Sequence, residues 1–174
     1  MKTFKYKDGT ECLCDEMEVD HYYPSNELEF EIPYVNERVH GILKSYYNDG
    51  ALEAETPYTM GEVQGMAKEY FASGALKAEL LYENGVPQGS ETWYYEAGGI
   101  FSQVSYVGGR KHGVERWNYP SGALMSETQW VRGTVTGVIK GYYESGALKY
   151  EKAVATDREL GKMIEFPETT GGVR

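Results

Sequence analysis

The stretch "EYFASGALKAELLYENGVPQG", residues 69–89, holds two short runs of tyrosine, leucine and alternating charge. The tight turn "ASG" separates them, and a longer glycine-bearing loop closes the second run. Short runs rich in aromatic and aliphatic residues and punctuated by glycine read as β-strands. No stretch keeps a helical period over ten residues. In "ASG" the glycine stands third. That is the chemistry of a three-residue hairpin loop, a type I turn whose glycine takes the left-handed conformation and forms a bulge. One such stretch is one β-hairpin.

The stretch recurs in both directions. "HYYPSNELEFEIPYVNERVHG" fills 21–41 and "SYYNDGALEAETPYTMGEVQG" fills 45–65. "WYYEAGGIFSQVSYVGGRKHG" follows at 93–113, "WNYPSGALMSETQWVRGTVTG" at 117–137 and "GYYESGALKYEKAVATDRELG" at 141–161. The period is 24 residues, six times, with no insertion. Gly50, Gly74, Gly98, Gly122 and Gly146 mark the tight turn, with Asn26 in the first copy, the residue that best tolerates positive φ after glycine. Gly41, Gly65, Gly89, Gly113, Gly137 and Gly161 form a second series. Gly61, Gly85, Gly109 and Gly133 form a third, replaced by Glu37 and Asp157 in the terminal copies. These series take 15 of the 21 glycines, so the glycine excess is architecture and not a phosphate cradle. The expected fold is all-β: six tandem 24-residue β-hairpin repeats forming an elongated antiparallel meander or open solenoid, a single layer in which each unit contacts mainly its neighbours. Residues 1–17 are expected to be an N-terminal cap segment that adds a hairpin at the open edge, 18–166 the repeat domain and 167–174 a flexible tail.

The recurring pattern YY-x-x-G-A-L-x-x-E-x-x-Y-x-x-G-x-x-x-G, best kept in 69–89, resembles the MORN-repeat-variant family, which includes the bacterial YwqK-type antitoxins. Departures are Asn118 for the first tyrosine, Gln103 for the glutamate, and Trp130 and Val154 for the later tyrosine. The resemblance implies a non-catalytic antitoxin or immunity protein that binds a cognate toxin and masks its active site. The alternative it leaves is a protein–protein interaction scaffold.

Composition bears on the partner. Seventeen basic against 27 acidic residues give a net charge of -10, which argues against electrostatic coating of nucleic acid or anionic membrane and suits a basic partner. A basic, nucleic-acid-targeting toxin fits that charge. With 41% hydrophobic and 14% aromatic residues the chain is expected to fold. No apolar run is long enough for a spanning helix, and the N-terminus lacks a secretory apolar region, so a cytoplasmic location is expected. Cys12 and Cys14, one residue apart, read as reduced thiols. No metal or cofactor is expected, and no nucleophile, metalloprotease or phosphate-loop motif occurs. His40 and His112 share a repeat slot three copies apart, too far for a common metal.

Register decides which residues share a face. With glycine in the bulge, position 46 pairs with 52, 45 with 53 and 43 with 55, and one face carries Tyr46, Leu52 and Tyr58, then Tyr70, Leu76, Tyr82 and Tyr94, Ile100, Tyr106. The other face pairs Glu69 with Lys77, Trp93 with Phe101 and Trp117 with Met125. It gathers the candidate partner-binding cluster Trp93, Tyr95, Phe101, Trp117, Tyr119 and Met125, residue types enriched at interfaces. With a two-residue turn, 44 pairs with 55 instead, giving Lys44–Glu55, Lys68–Glu79, Arg116–Glu127 and Lys140–Glu151, a pattern that Asp20 against Glu31 spoils. In either register Glu55 and Glu79 belong to an acidic row suited to steering a basic partner.

Overall fold

The computed structural model describes residues 4–5, 11–12, 16–154 and 160–168. The expectations for Cys14, Asp157 and the tail beyond 168 lie outside the described residues. The chain divides into two compact units, 1–86 and 87–174. In the first, β1 (Phe4–Lys5) pairs with β2 (Glu11–Cys12) as a sheet of its own. A second sheet holds β3 (Glu16–Tyr22), β4 (Leu28–Val35), β5 (Arg38–Val39), β6 (Gly41–Tyr46), β7 (Leu52–Thr59), β8 (Glu62–Val63), β9 (Gly65–Tyr70) and β10 (Leu76–Glu83). Its order is β3-β4-β6-β7-β9-β10, with β5 and β8 pairing with β4 and β7.

The second unit runs β11 (Val86–Tyr94), β12 (Ile100–Val107), β13 (Arg110–Asn118), β14 (Leu124–Val131), β15 (Thr134–Tyr142), β16 (Leu148–Val154) and β17 (Leu160–Glu165), each paired antiparallel with the next. Among the described residues there is no helix. The strands recur at the expected positions, so each unit is an open all-β meander of hairpin repeats. β1 and β2 pair with each other and do not extend the repeat sheet, whose outermost strand among the described residues is β3; most of the expected cap segment 1–17 lies outside the described residues.

The tight turns have the expected chemistry. Gly50 N donates to the Tyr47 carbonyl and Tyr47 N to the Ala51 carbonyl, both at 2.8 Å. Gly50 sits at φ 84°, and Asn26 takes the same place at φ 74°. The other turn is tighter than a long loop. Met60–Gly61, Asn84–Gly85, Gly108–Gly109 and Arg132–Gly133 each have positive φ at both residues, and so do Asn36–Glu37. With Thr59 opposite Glu62 and Val107 opposite Arg110, these are two-residue type I′ turns, whose twist matches that of the strands.

Both expected registers occur, one on each side of a bulge. Tyr46 is opposite Leu52, then the register shifts, and Ser45 faces Ala54 and Lys44 faces Glu55. Glu53 is the extra residue, and the same shift separates Trp93 from Tyr94 and Trp117 from Asn118. The expected pairs 45–53 and 43–55 are therefore corrected to 45–54 and 44–55. Side chains alternate along a strand, and directly opposite residues share a face. Tyr58 is opposite Gly41, four residues from Ser45, so it lies on the Ser45 face and not with Tyr46 and Leu52. The single Tyr46–Leu52–Tyr58 face is corrected accordingly: the bulge sends its third member, and with it Tyr82 and Tyr106, to the other side.

Among the described residues, no second layer of elements covers either unit's repeat sheet. Ala78 and Val104 are the buried apolar residues among those described, and no side chain is fully enclosed. Cohesion comes from ladders between neighbouring repeats. Tyr23, Tyr47, Tyr95, Tyr119 and Tyr143 each donate their hydroxyl to the main-chain carbonyl 23 residues on, at 2.6–3.0 Å. Each bond contributes about 0.5–1.5 kcal/mol. On the opposite face a charged row runs Asp20–Glu31–Lys44–Glu55–Lys68–Glu79 through directly opposed residues. Lys44 bonds Glu31 at 2.8 Å; the ammonium holds the carboxyl below its ordinary value, and the carboxylate raises the lysine.

Candidate interaction surface

The aromatic cluster lies in the second unit. Trp93 is opposite Ser102, Ser102 opposite Trp117 and Trp117 opposite Ser126, so the four share one face. The serine between the two indoles, Ser102, is small and buried. Opposite Trp93 and Trp117 stand Ser102 and Ser126, not the expected Phe101 and Met125, because those two occupy the bulge. Likewise Glu69 is opposite Ala78, and Lys77 reaches it from the bulge at 3.1 Å.

From the bulge, the Phe101 ring meets Trp117 of the next strand edge to face, with centroids 4.9 Å apart and planes at 87°. On its other side it meets Tyr95 at 5.0 Å and 64°. Edge-to-face pairs at this spacing put a ring's positive edge on a negative face. Tyr95 and Tyr119 are fixed by their hydroxyl bonds to the carbonyls of Asn118 and Tyr142. Trp93, Tyr95, Phe101, Trp117, Tyr119 and Met125 are all half-buried, so each presents part of its surface to solvent.

Glu55 and Glu79 belong to the first unit and are half-buried there. Glu55 is opposite both Lys44 and Lys68 and accepts from the Tyr70 hydroxyl at 2.9 Å, so much of its capacity is spent within the sheet. Glu79 is opposite Lys68.

The sequence reading missed a second group on the aromatic face. Glu115, a buried carboxylate, accepts from Lys111 Nζ at 2.7 Å and from Trp130 Nε1 at 2.9 Å. Lys111 Nζ stands 5.1 Å from the Trp130 ring centroid. The available signal was a spacing of 15: Tyr106 bonds Glu91, Trp130 bonds Glu115, Tyr70 bonds Glu55 and Tyr142 bonds Glu127. It also links two of the departures from the repeat pattern, since Asn118 stands where the tyrosine is lost and Gln103, 15 residues before it, where the glutamate is lost. The histidine slot has a structural use too. His40 Nδ1 accepts from the Met60 main-chain N–H at 3.3 Å, as Gln64 and Gln88 accept from Asn84 and Gly108.

Among the described residues no three His, Cys, Asp or Glu side chains are grouped to hold a metal ion. The family described as MORN repeat variant matches six segments: 16–36, 39–59, 63–84, 87–107, 111–131 and 135–152. The chain belongs to this family. No curated protein matches it. A MORN-variant array points to a protein-interaction repeat module, and such all-β arrays are typically non-catalytic scaffolds. The surface fits that role. It offers half-buried aromatic side chains held on a hydrogen-bonded main-chain frame.

Proposed function

We propose that this MORN-variant protein is an antitoxin or immunity protein. It binds a basic, nucleic-acid-targeting bacterial toxin in the cytoplasm and masks that toxin's active site. The observation that carries the binding role is the cluster of Trp93, Phe101 and Trp117, half-buried on a sheet that no other described element covers. Tryptophan and tyrosine on a rigid base are the residues that dominate binding energy at interfaces, because they bury much area at little entropic cost. The net charge of -10 supports a basic partner and fast, salt-sensitive association. The mechanism is steric: the aromatic face holds the toxin over its catalytic surface while the acidic surface steers the encounter.

The test is co-expression with the product of the adjacent gene, scored for growth. Rescue by the natural chain and loss of rescue by Trp117→Ala support the proposal. If the two proteins bind but growth is not restored, the chain is a scaffold and not an antitoxin.

A further inference from the structure

At the C-terminal end of the second unit an open groove of about 380 Å³ is lined by Tyr143, Lys149, Tyr150, Glu165, Phe166 and Pro167. Two repeat lengths earlier, the same six slots hold Tyr95, Phe101, Ser102, Trp117, Asn118 and Tyr119, the heart of the aromatic cluster. The frame is conserved between the two places. Tyr143 donates to the Phe166 carbonyl at 3.0 Å as Tyr95 does to Asn118 at 2.6 Å. Tyr150 is opposite Glu165 as Ser102 is opposite Trp117. The row Trp117–Ser126–Gly141–Tyr150–Glu165 puts both places on one face of the sheet.

The filling differs. In the cluster, Phe101 and Trp117 pack against each other. At the end of the array Lys149 and Glu165 replace them, and the Tyr150 ring is drawn away over Gly141. Where the cluster has a phenyl ring and an indole, the groove is lined by a cation and a carboxylate.

The chain itself shows how such a pair handles an indole. Trp130 gives its N–H to Glu115 at 2.9 Å while Lys111 Nζ stands 5.1 Å from its ring centroid. Lys149 Nζ already lies over an aromatic ring, 5.4 Å from the Tyr143 centroid. An indole has a negative face and a positive N–H edge, so a lysine above and a glutamate beside it complement both.

We propose that this groove takes up a tryptophan side chain of a protein partner, its ring against Lys149 and its N–H donated to Glu165. Residues 155–174 contain no tryptophan. The proposal extends the protein-binding role by a second anchor point on the face that carries Trp117.

The test titrates N-acetyltryptophanamide, and separately its 1-methylindole derivative, into the full chain and follows resonances by NMR. The expected result is weak binding with shifts centred on Lys149, Tyr150 and Phe166. Loss of the N–H weakens it about tenfold, the cost of one hydrogen bond to a charged acceptor. In Glu165→Leu the two probes should bind alike. The proposal is overturned if shifts are absent or centred elsewhere, or if the methylated probe binds the natural chain equally well. Because the probe is a free amide, such a result leaves the toxin proposal standing. Failed rescue with a positive titration removes only the toxin.

Discussion

The Tyr150 ring lies directly over Gly141, its opposite neighbour on β15, where an added Cβ would stand 2.6 Å from Tyr150 Cδ1. Equivalent slots pair the reverse way, with tryptophan at 117 and serine at 102 and 126, so bulk has changed strands in the last repeat. Gly141→Ala should therefore destabilise the second unit by about 1–3 kcal/mol, the cost of overpacking. Adding Tyr150→Ser should restore most of it. Denaturant melts of the two singles and the double measure the coupling; additive effects would show that the ring does not depend on the glycine.

Gly74 tests the tight turn. It sits at φ 83° with nothing within 4 Å of an added Cβ, so backbone conformation alone sets the cost of substitution. Gly74→Val should cost about 2 kcal/mol and Gly74→Asn less than about 1, because asparagine enters the left-handed region far more readily. Equal melting temperatures for the two variants would refute a bulged turn.

Met60 and Glu37 occupy type I′ positions at φ 51° and 63°. Met60→Asn and Glu37→Gly should each stabilise the first unit, by about 0.5–1 kcal/mol, since the replacements favour positive φ. Urea unfolding measures this, and unchanged midpoints would argue against the turn type.

Alkaline pH probes the tyrosine–glutamate bonds. Burial, then the hydrogen bond to Glu31, Glu55 or Glu127, raises Tyr46, Tyr70 and Tyr142 above the ordinary phenol value of 10.0. A group raised in the folded state gives its full stabilisation below the unfolded pKa and loses it as pH climbs through the folded one. Thermal melts should thus fall above about pH 10. Tyr70→Phe should be less stable at neutral pH and show a shallower alkaline decline. Parallel pH profiles would contradict the assignment.

Trp117 separates binding from folding. Trp117→Ala should weaken partner binding by about 2 kcal/mol or more, the usual loss at a tryptophan hot spot. Folding should suffer less, because Trp117 is only half-buried and the hydroxyl ladder remains. Melting temperature and affinity measured on one preparation decide it: unfolding of the unit without a separable binding defect would make the cluster purely structural.

The repeat, its strands and the tight turns were legible because glycine recurs every 24 residues, and even Asn26 announced its positive φ. That Trp93 and Trp117 share a face was legible for the same reason. The bulge at Glu53 was not. Either register preserves the period, and only side-chain packing chooses where the extra residue goes. That gap misplaced Tyr58 and hid the Phe101–Trp117 contact, which exists because the bulge aims Phe101 at the next strand. The type I′ turns were obscured where Met60 and Arg132 stand in place of asparagine; Asn84–Gly85 and Gly108–Gly109 carry the expected dipeptides. The end groove could not be foreseen, since it depends on which way the Tyr150 ring falls.

The hydroxyl ladder ends on main-chain carbonyls, and its acceptors are Tyr46, Tyr70, Asn118, Tyr142 and Phe166, three residue types for one bond. A peptide oxygen is indifferent to the side chain beside it. Copies can therefore be duplicated, deleted or exchanged between descendants without renegotiating the seam. Residues on the exposed faces can drift toward new partners while the scaffold stays put. A lineage of such chains would be expected to vary in copy number and in surface aromatics while most copies keep the donating tyrosine, which in this chain gives way once, to Phe71.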